Sequence, residues 1–231
     1  MDDEAVMVYG SQRILLGEMP YRDWSTHLSP GSFFVGGLWF AVCGFSTPCP
    51  RLLFAIIFGL TALLVEAVSR KVLPGRWSLL PVFLWVSCGV MEFPILSYHW
   101  LATACTMGAL LACFGWVQEQ GRRQALVLGA WLAACGWVLQ SAGLVVTLMV
   151  VFLWLRFRPA NLHWVALATV ALSLLLWLPV MASLPLVIEQ NLALRKHLAF
   201  NHKPYSLDNW TFFLSHYQGL SIQQGWVSFV A

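Results

Sequence analysis

The sequence predicts an all-α, polytopic transmembrane bundle, and three observations predict it. Of 231 residues, 59% are hydrophobic and 10% are charged, whereas a soluble domain carries about 25% charged and 45–50% apolar residues. The mean hydropathy of +0.73 means more apolar surface than one water-soluble core can bury, so lipid solvates the remainder. The apolar residues also fall in long runs, not in the alternating ten-residue segments of a membrane barrel.

From the N-terminus, residues 4–16 predict a short helix lying at the interface, with Val6, Tyr9 and Leu16 on one face and Gln12 off it. Gly17 and Pro20 end that helix. The stretch YRDWSTHLSPG is irregular, with turn chemistry at Pro30-Gly31 and an interfacial anchor in Trp24. Residues 32–47 are apolar but short and glycine-rich, which predicts a segment that dips into the bilayer or lies along it. Runs at 51–69, 78–97, 99–118, 125–155 and 161–184 come next, most near the roughly 20 residues that cross about 30 Å of hydrocarbon. The 125–155 run is too long for one crossing and is interrupted by Gln140-Ser141-Ala142-Gly143, so two helices are expected to meet there. Residues 185–231 are more polar, and Asn209-Trp210-Thr211 fits a glycosylation sequon. The closing GWVSFVA is expected to begin a further helix. The organisation is thus an acidic loop with an interfacial helix (1–31), a transmembrane domain (32–184) and a polar extracytoplasmic segment (185–231).

Charge sets the expected orientation. Arg70, Lys71 and Arg76 share one loop, Arg122 and Arg123 a second, Arg156 and Arg158 a third. Placing all three in the cytoplasm satisfies the positive-inside rule. The turns at Ser97-Tyr98-His99 and at Gln140 then face outward, and so does the acidic segment if 32–47 does not fully cross. A net charge of +3 without a basic run gives no reason to expect nucleic acid. Cys43, Cys49, Cys88, Cys105, Cys113 and Cys135 form no CxxC pair and no zinc spacing, and predict small packing residues. Met1 is followed by acids rather than a basic n-region, so no signal peptide is expected. A chain that opens on a water-facing segment before its apolar runs is expected to be preceded by another transmembrane helix.

Five of the ten carboxylates fall in the first thirty residues: Asp2, Asp3, Glu4, Glu18 and Asp23. Acids here cap a helix and suit its dipole; they are equally placed for a general base, or for a hard divalent cation. Asp23 adds an acid beside Tyr21, Arg22 and His27. Arg13 and Arg22 offer donors for phosphate or snorkel as interface residues. Tyr98, His99 and Gln140 belong to the turns on the same expected side. Glu66 stands four residues before Arg70, the spacing of an ion pair, while Glu92 is a weaker intramembrane acid near Pro94.

With Asp3-Glu4, Tyr9, Gly17-Glu18-Met19-Pro20-Tyr21-Arg22-Asp23 and Pro30-Gly31 in this order, the chain resembles the GT-C class of integral-membrane glycosyltransferases. The nearest branch is the protein-mannosyltransferase-like and lipid A aminoarabinose transferase-like group. The polar break at Gln140-Ser141-Ala142-Gly143 is similar too, although that group often has Lys where this chain has Leu139. Family members are usually longer, so the chain is expected to be part of a larger protein. The resemblance implies transfer of a sugar from a polyprenyl-phosphate donor to a lipid, glycan or protein acceptor outside the cytoplasm, in a bacterial inner membrane. It implies Asp3 as the base, assisted by Asp23, and a divalent cation (Mg or Mn), where one is used, on Asp3, Glu4 and Asp23. Arg13, Tyr21, Arg22, His27, Tyr98, His99 and Gln140 are the candidate substrate-binding residues. Two other functions fit the composition. One is a transporter or lipid flippase using Glu66, Glu92 and a broken 32–47 helix; the other is a non-catalytic membrane subunit whose acids only cap helices.

Overall fold

The described residues form eight α-helices: α1 (Asp3–Leu15), α2 (Gly31–Cys43), α3 (Pro48–Val72), α4 (Leu79–Glu92), α5 (Tyr98–Glu119), α6 (Arg122–Val138), α7 (Gln140–Phe157) and α8 (Leu162–Trp177). Short 3-10 turns precede α4 and follow α8, and no strand occurs among the described residues. The computed structural model describes residues 3–24, 26, 28–92 and 95–183, the side chains of 90–92 and 182 excepted. Asp2, His27, the carboxylate of Glu92, the Asn209 sequon and the closing GWVSFVA therefore lie outside the described residues. The chain divides into two units, Met1–Leu184 and Pro185–Ala231, and all the described residues belong to the first.

Among the described residues, four helices are long and apolar enough to cross a membrane: α3, α5, α7, and α8 continued to Met181. Their outer faces carry exposed Leu, Val and Phe, such as Leu60 and Leu63 on α3 and Leu148, Phe152 and Leu155 on α7. Large apolar side chains on the outside are what a lipid solvent requires. The polar break behaves as expected. Leu139 is extended between α6 and α7, and Gly143 packs onto Gly136 so closely that a Cβ at Gly143 would lie 2.6 Å from the Gly136 Cα. Helix α4 stops at Glu92, short of the predicted 97. Two residues on stands Pro94, which has no N–H to donate and disfavours helix in the residue before it.

Ring and glycine contacts fix the helix directions. Phe54 and Phe58 of α3 meet Trp100 of α5, so α3 and α5 run together. Gly108 of α5 packs against Trp131 of α6, and Thr169 of α8 bonds the Gly129 carbonyl of α6 at 3.3 Å. Consequently Arg70, Lys71, Arg76, Arg122, Arg123, Arg156 and Arg158 all lie at one end of the bundle, the basic end. Trp116 Nε1 donates to the Ala160 carbonyl there at 2.9 Å, and Asn161 Nδ2 to that of Gln120 at 2.7 Å. Glu66 forms its expected ion pair with Arg70, 2.7 Å away.

Helices α1 and α2 pack against each other as a pair. Their interface is made of small residues: Gly10 against the Phe33 ring, Gly36 against the Ser11 side chain, Gly37 against Ile14. In an apolar solvent such close backbone approach supplies the dispersion contact that joins helices. The packed stripe is Met7, Gly10 and Ser11, while Tyr9 and Leu16 of the expected interfacial face are exposed. Helix α2 begins against Trp137 at the end of α6 and finishes at the start of α3, where Trp39 Nε1 donates to the Cys49 carbonyl at 3.0 Å. Both points belong to the end opposite the basic one. The 13 residues of α2, about 20 Å long, thus lie across the bundle end.

A Cys43–Cys49 disulfide joins α2 to α3. This corrects the expectation of six packing cysteines. Cys105, Cys113 and Cys135 are buried in the α5–α8 core as expected, and Cys88 is exposed. Two cysteines six residues apart across a turn at Gly44 were the missed signal.

Candidate functional site

At the end opposite the basic loops, the first turn of α1 meets the loop leading into α5. Ser97 caps α5: its Oγ accepts the His99 backbone N–H at 3.2 Å and donates to Asp3 Oδ2 at 2.8 Å. The carboxylate of Asp3 therefore faces the α5 N-terminus, where unsatisfied N–H groups and the helix dipole attract negative charge. His99 Nε2 stands 4.0 Å from the same oxygen, and its ring lies against Tyr98, centroids 4.2 Å apart. Asp3 keeps about a quarter of its side chain exposed and His99 more than half, so both remain open to a ligand.

Glu4 bonds the residue before Ser97. Its Oε2 accepts the Leu96 N–H at 3.0 Å, and its Oε1 lies 3.4 Å from Arg51 Nη2. This pair borders a cavity of about 400 Å³ lined also by Val8, Phe40, Phe45 and Ile95. A second, more open groove of about 290 Å³ runs from His99 past Thr103 and Thr106 to Leu139 and Ser141 at the α6–α7 break. Asp3, Tyr98, His99 and the polar break thus share one end of the molecule. Gln140 itself is exposed and does not line the groove.

The other predicted residues gather elsewhere. Arg13 pairs with Glu18, donates to the Tyr9 hydroxyl at 2.7 Å, and lies over the Tyr9 and Trp24 rings. Arg22 holds Asp23 at 2.7 Å, and the Met19 backbone N–H donates to the same carboxylate oxygen at 2.8 Å. The Arg22 hydrogen bond, then the Met19 one, depress Asp23 from the ordinary 3.8 to about 2. Tyr21 is buried, with positive φ, and its hydroxyl donates to the Leu28 carbonyl at 2.6 Å. Burial pushes that phenol well above its usual range.

Asp3 and Asp23 therefore belong to opposite ends of α1. Asp23 sits by Arg13, ten residues from Asp3, or about 15 Å along the axis at 1.5 Å per residue. The expected cation set of Asp3, Glu4 and Asp23 does not come together, and no group of three His, Cys, Asp or Glu does so among the described residues. Tyr21, predicted to bind substrate, is a core residue that shapes its loop. Arg13 and Arg22 are engaged in the same loop's ion pairs. No protein-family model, no curated protein and no solved structure matches the chain. Two residues that sequence reasoning passed over complete the site: Ser97 and Arg51. Arg51 had a signal, because it is basic at the start of an apolar run whose other end already carries Arg70 and Lys71. Ser97 had none, since its partner is 94 residues away.

Proposed function

We propose that the chain is the membrane-embedded catalytic part of a GT-C-type glycosyltransferase, acting on a polyprenyl-phosphate sugar donor at the end opposite the basic loops. The observation that carries this reading is the Asp3 carboxylate, held by Ser97 and 4.0 Å from His99, which itself lines a groove with the hydroxyls of Thr103, Thr106 and Ser141. Asp3 takes the proton of an acceptor hydroxyl as its oxygen attacks the anomeric carbon. The bond from that carbon to the phosphate oxygen breaks, and the lipid phosphate leaves with the electron pair. Asp3 becomes neutral as it takes the proton, the negative charge gathers on the leaving phosphate, and His99, when protonated, balances that charge. Asp23 and the divalent cation have no step in this scheme, because Asp23 is remote from Asp3 and the three carboxylates do not fit one ion.

Two features support an outward-facing site. The basic loops gather at the other end, as cytoplasmic loops do. The Cys43–Cys49 disulfide lies at the site's own end, and disulfides persist on the oxidising side of a membrane. Nothing favours the transporter: Glu66 is engaged by Arg70, and α2 is one unbroken helix.

The test is Asp3→Asn in the full-length protein, assayed for sugar transfer from a lipid-linked donor. Loss of a general base lowers turnover by about 10²-fold or more, while Asp23→Asn stays within severalfold of the parent. Parental turnover in Asp3→Asn removes the proposed base.

A further inference from the structure

The cavity beside Glu4 has a composition that the glycosyl-transfer scheme does not use. An acid and a base stand 3.4 Å apart on the wall of a space otherwise bordered by Ala5, Val8, Phe40, Phe45, Pro50 and Ile95, with the hydroxyls of Ser46 and Thr47 between. Its volume, about 400 Å³, is in the range of small-molecule sites. Buried Phe40 stacks on Phe45 in its wall, ring centroids 5.1 Å apart. Phe45 is half exposed, and so is Leu52, while Val42 is 86% exposed. The cavity thus has an exposed apolar side chain, Phe45, in its wall and two more, Val42 and Leu52, close by in the chain.

We propose that this cavity binds the headgroup of an aminophospholipid of the phosphoethanolamine type. Arg51 takes the phosphate through its planar fork of N–H donors. Glu4 takes the ammonium group: its Oε2 already accepts from Leu96, but a carboxylate offers about four lone-pair sites. The first part of an acyl chain lies over Phe40, Phe45 and Val8, and the remainder passes along Val42 and Leu52 into the bilayer. The side-by-side charges select the headgroup. A purely anionic lipid would satisfy Arg51 but offer Glu4 no cation to offset the phosphate beside it. A choline headgroup carries no N–H to donate to Glu4. The disulfide fixes the loop Gly44–Thr47 that forms one wall, so the cavity does not depend on induced closure. This binding is independent of sugar transfer and stands or falls separately.

The experiment is native mass spectrometry of the purified chain in detergent, titrated with equal concentrations of dioleoyl phosphatidylethanolamine, phosphatidylcholine and phosphatidylglycerol. A charge-assisted hydrogen bond contributes about 1.5–3 kcal/mol, so the ethanolamine lipid is expected to bind about tenfold or more over the other two. Arg51→Gln, which alters a half-exposed side chain, brings its adduct down to the phosphatidylcholine level, and Glu4→Gln does the same. Thr103→Ala, in the other groove, leaves it unchanged. Equal adducts with all three lipids, or an ethanolamine adduct unaffected by Arg51→Gln, overturns the proposal. Soluble glycerophosphoethanolamine competing as well as the lipid overturns the lipid assignment, because the apolar wall would then contribute nothing.

Discussion

Single side chains of the first thirty residues divide into those whose polar groups hold the local chain and those that keep surface open to solvent. Asp23 belongs to the first kind, and its ionisation gives it a measurable signature. Its folded value of about 2 lies below the ordinary 3.8. The stabilisation it gives is therefore fully present above the unfolded value and lost as the pH falls through the folded one. Thermal unfolding in detergent is expected to show the loss between pH 4 and about 2 in the parent, and a flatter profile in Asp23→Asn. An equal slope in both places the acid sensitivity elsewhere. Asp3 belongs to the second kind: its partners Ser97 and His99 arrive from the start of another helix, and enough surface remains open for a hydroxyl to approach. Residue type alone named Asp3, Tyr98 and His99 as site candidates, because acids and hydrogen-bonding rings between apolar runs are conspicuous. It grouped Asp23 with them wrongly, since proximity in sequence said nothing about which end of α1 each acid would occupy.

Among the elements, the α1–α2 pair carries the site and rests on two devices. The first is its small-residue seam. A Cβ on Gly36 meets the Ser11 side chain, which is itself committed to the Met7 carbonyl at 2.6 Å. Gly36→Val overpacks this contact and is expected to cost about 1–3 kcal/mol in chemical denaturation; a change near zero means that the seam is looser than these contacts imply. The second is the disulfide. Closing so short a loop stabilises by about 2 kcal/mol through the entropy of the unfolded chain, and Cys43→Ser is expected to lose about that much. Without reductant, a thiol-reactive mass tag should reach neither Cys43 nor Cys49 in the parent; labelling of both before reduction refutes the bond. The helices themselves were legible. Runs of apolar residues, the break at Gln140-Ser141-Ala142-Gly143 and the i,i+4 pair Glu66–Arg70 are local patterns, and each keeps its meaning in three dimensions. The disulfide and the Glu4–Arg51 pair were not, because cross-connections of that kind leave no periodic trace.

At the scale of the whole Met1–Leu184 unit, the arrangement is a bundle with chemically different ends. Seven basic residues mark one end. The other holds a pair of helices laid across it, a disulfide, the Asp3–Ser97–His99 cluster and the Glu4–Arg51 cavity. Simple alternation of crossings already put the basic loops on one side in the sequence, and the helix directions agree. The sequence could not say that α2 lies across the bundle end rather than dipping inward, because a short apolar helix suits either position. Sugar transfer from a lipid-linked donor outside the cytoplasm requires the two ends to face different compartments, with the carboxylate end outside. Single cysteines placed by Leu16→Cys, at the exposed end of α1, and Arg76→Cys, in an exposed basic loop, on a Cys88→Ser background, report this directly in intact cells. A membrane-impermeant maleimide should label position 16 at once and position 76 only after permeabilisation. Labelling of both from one side, or of position 76 alone, contradicts that orientation.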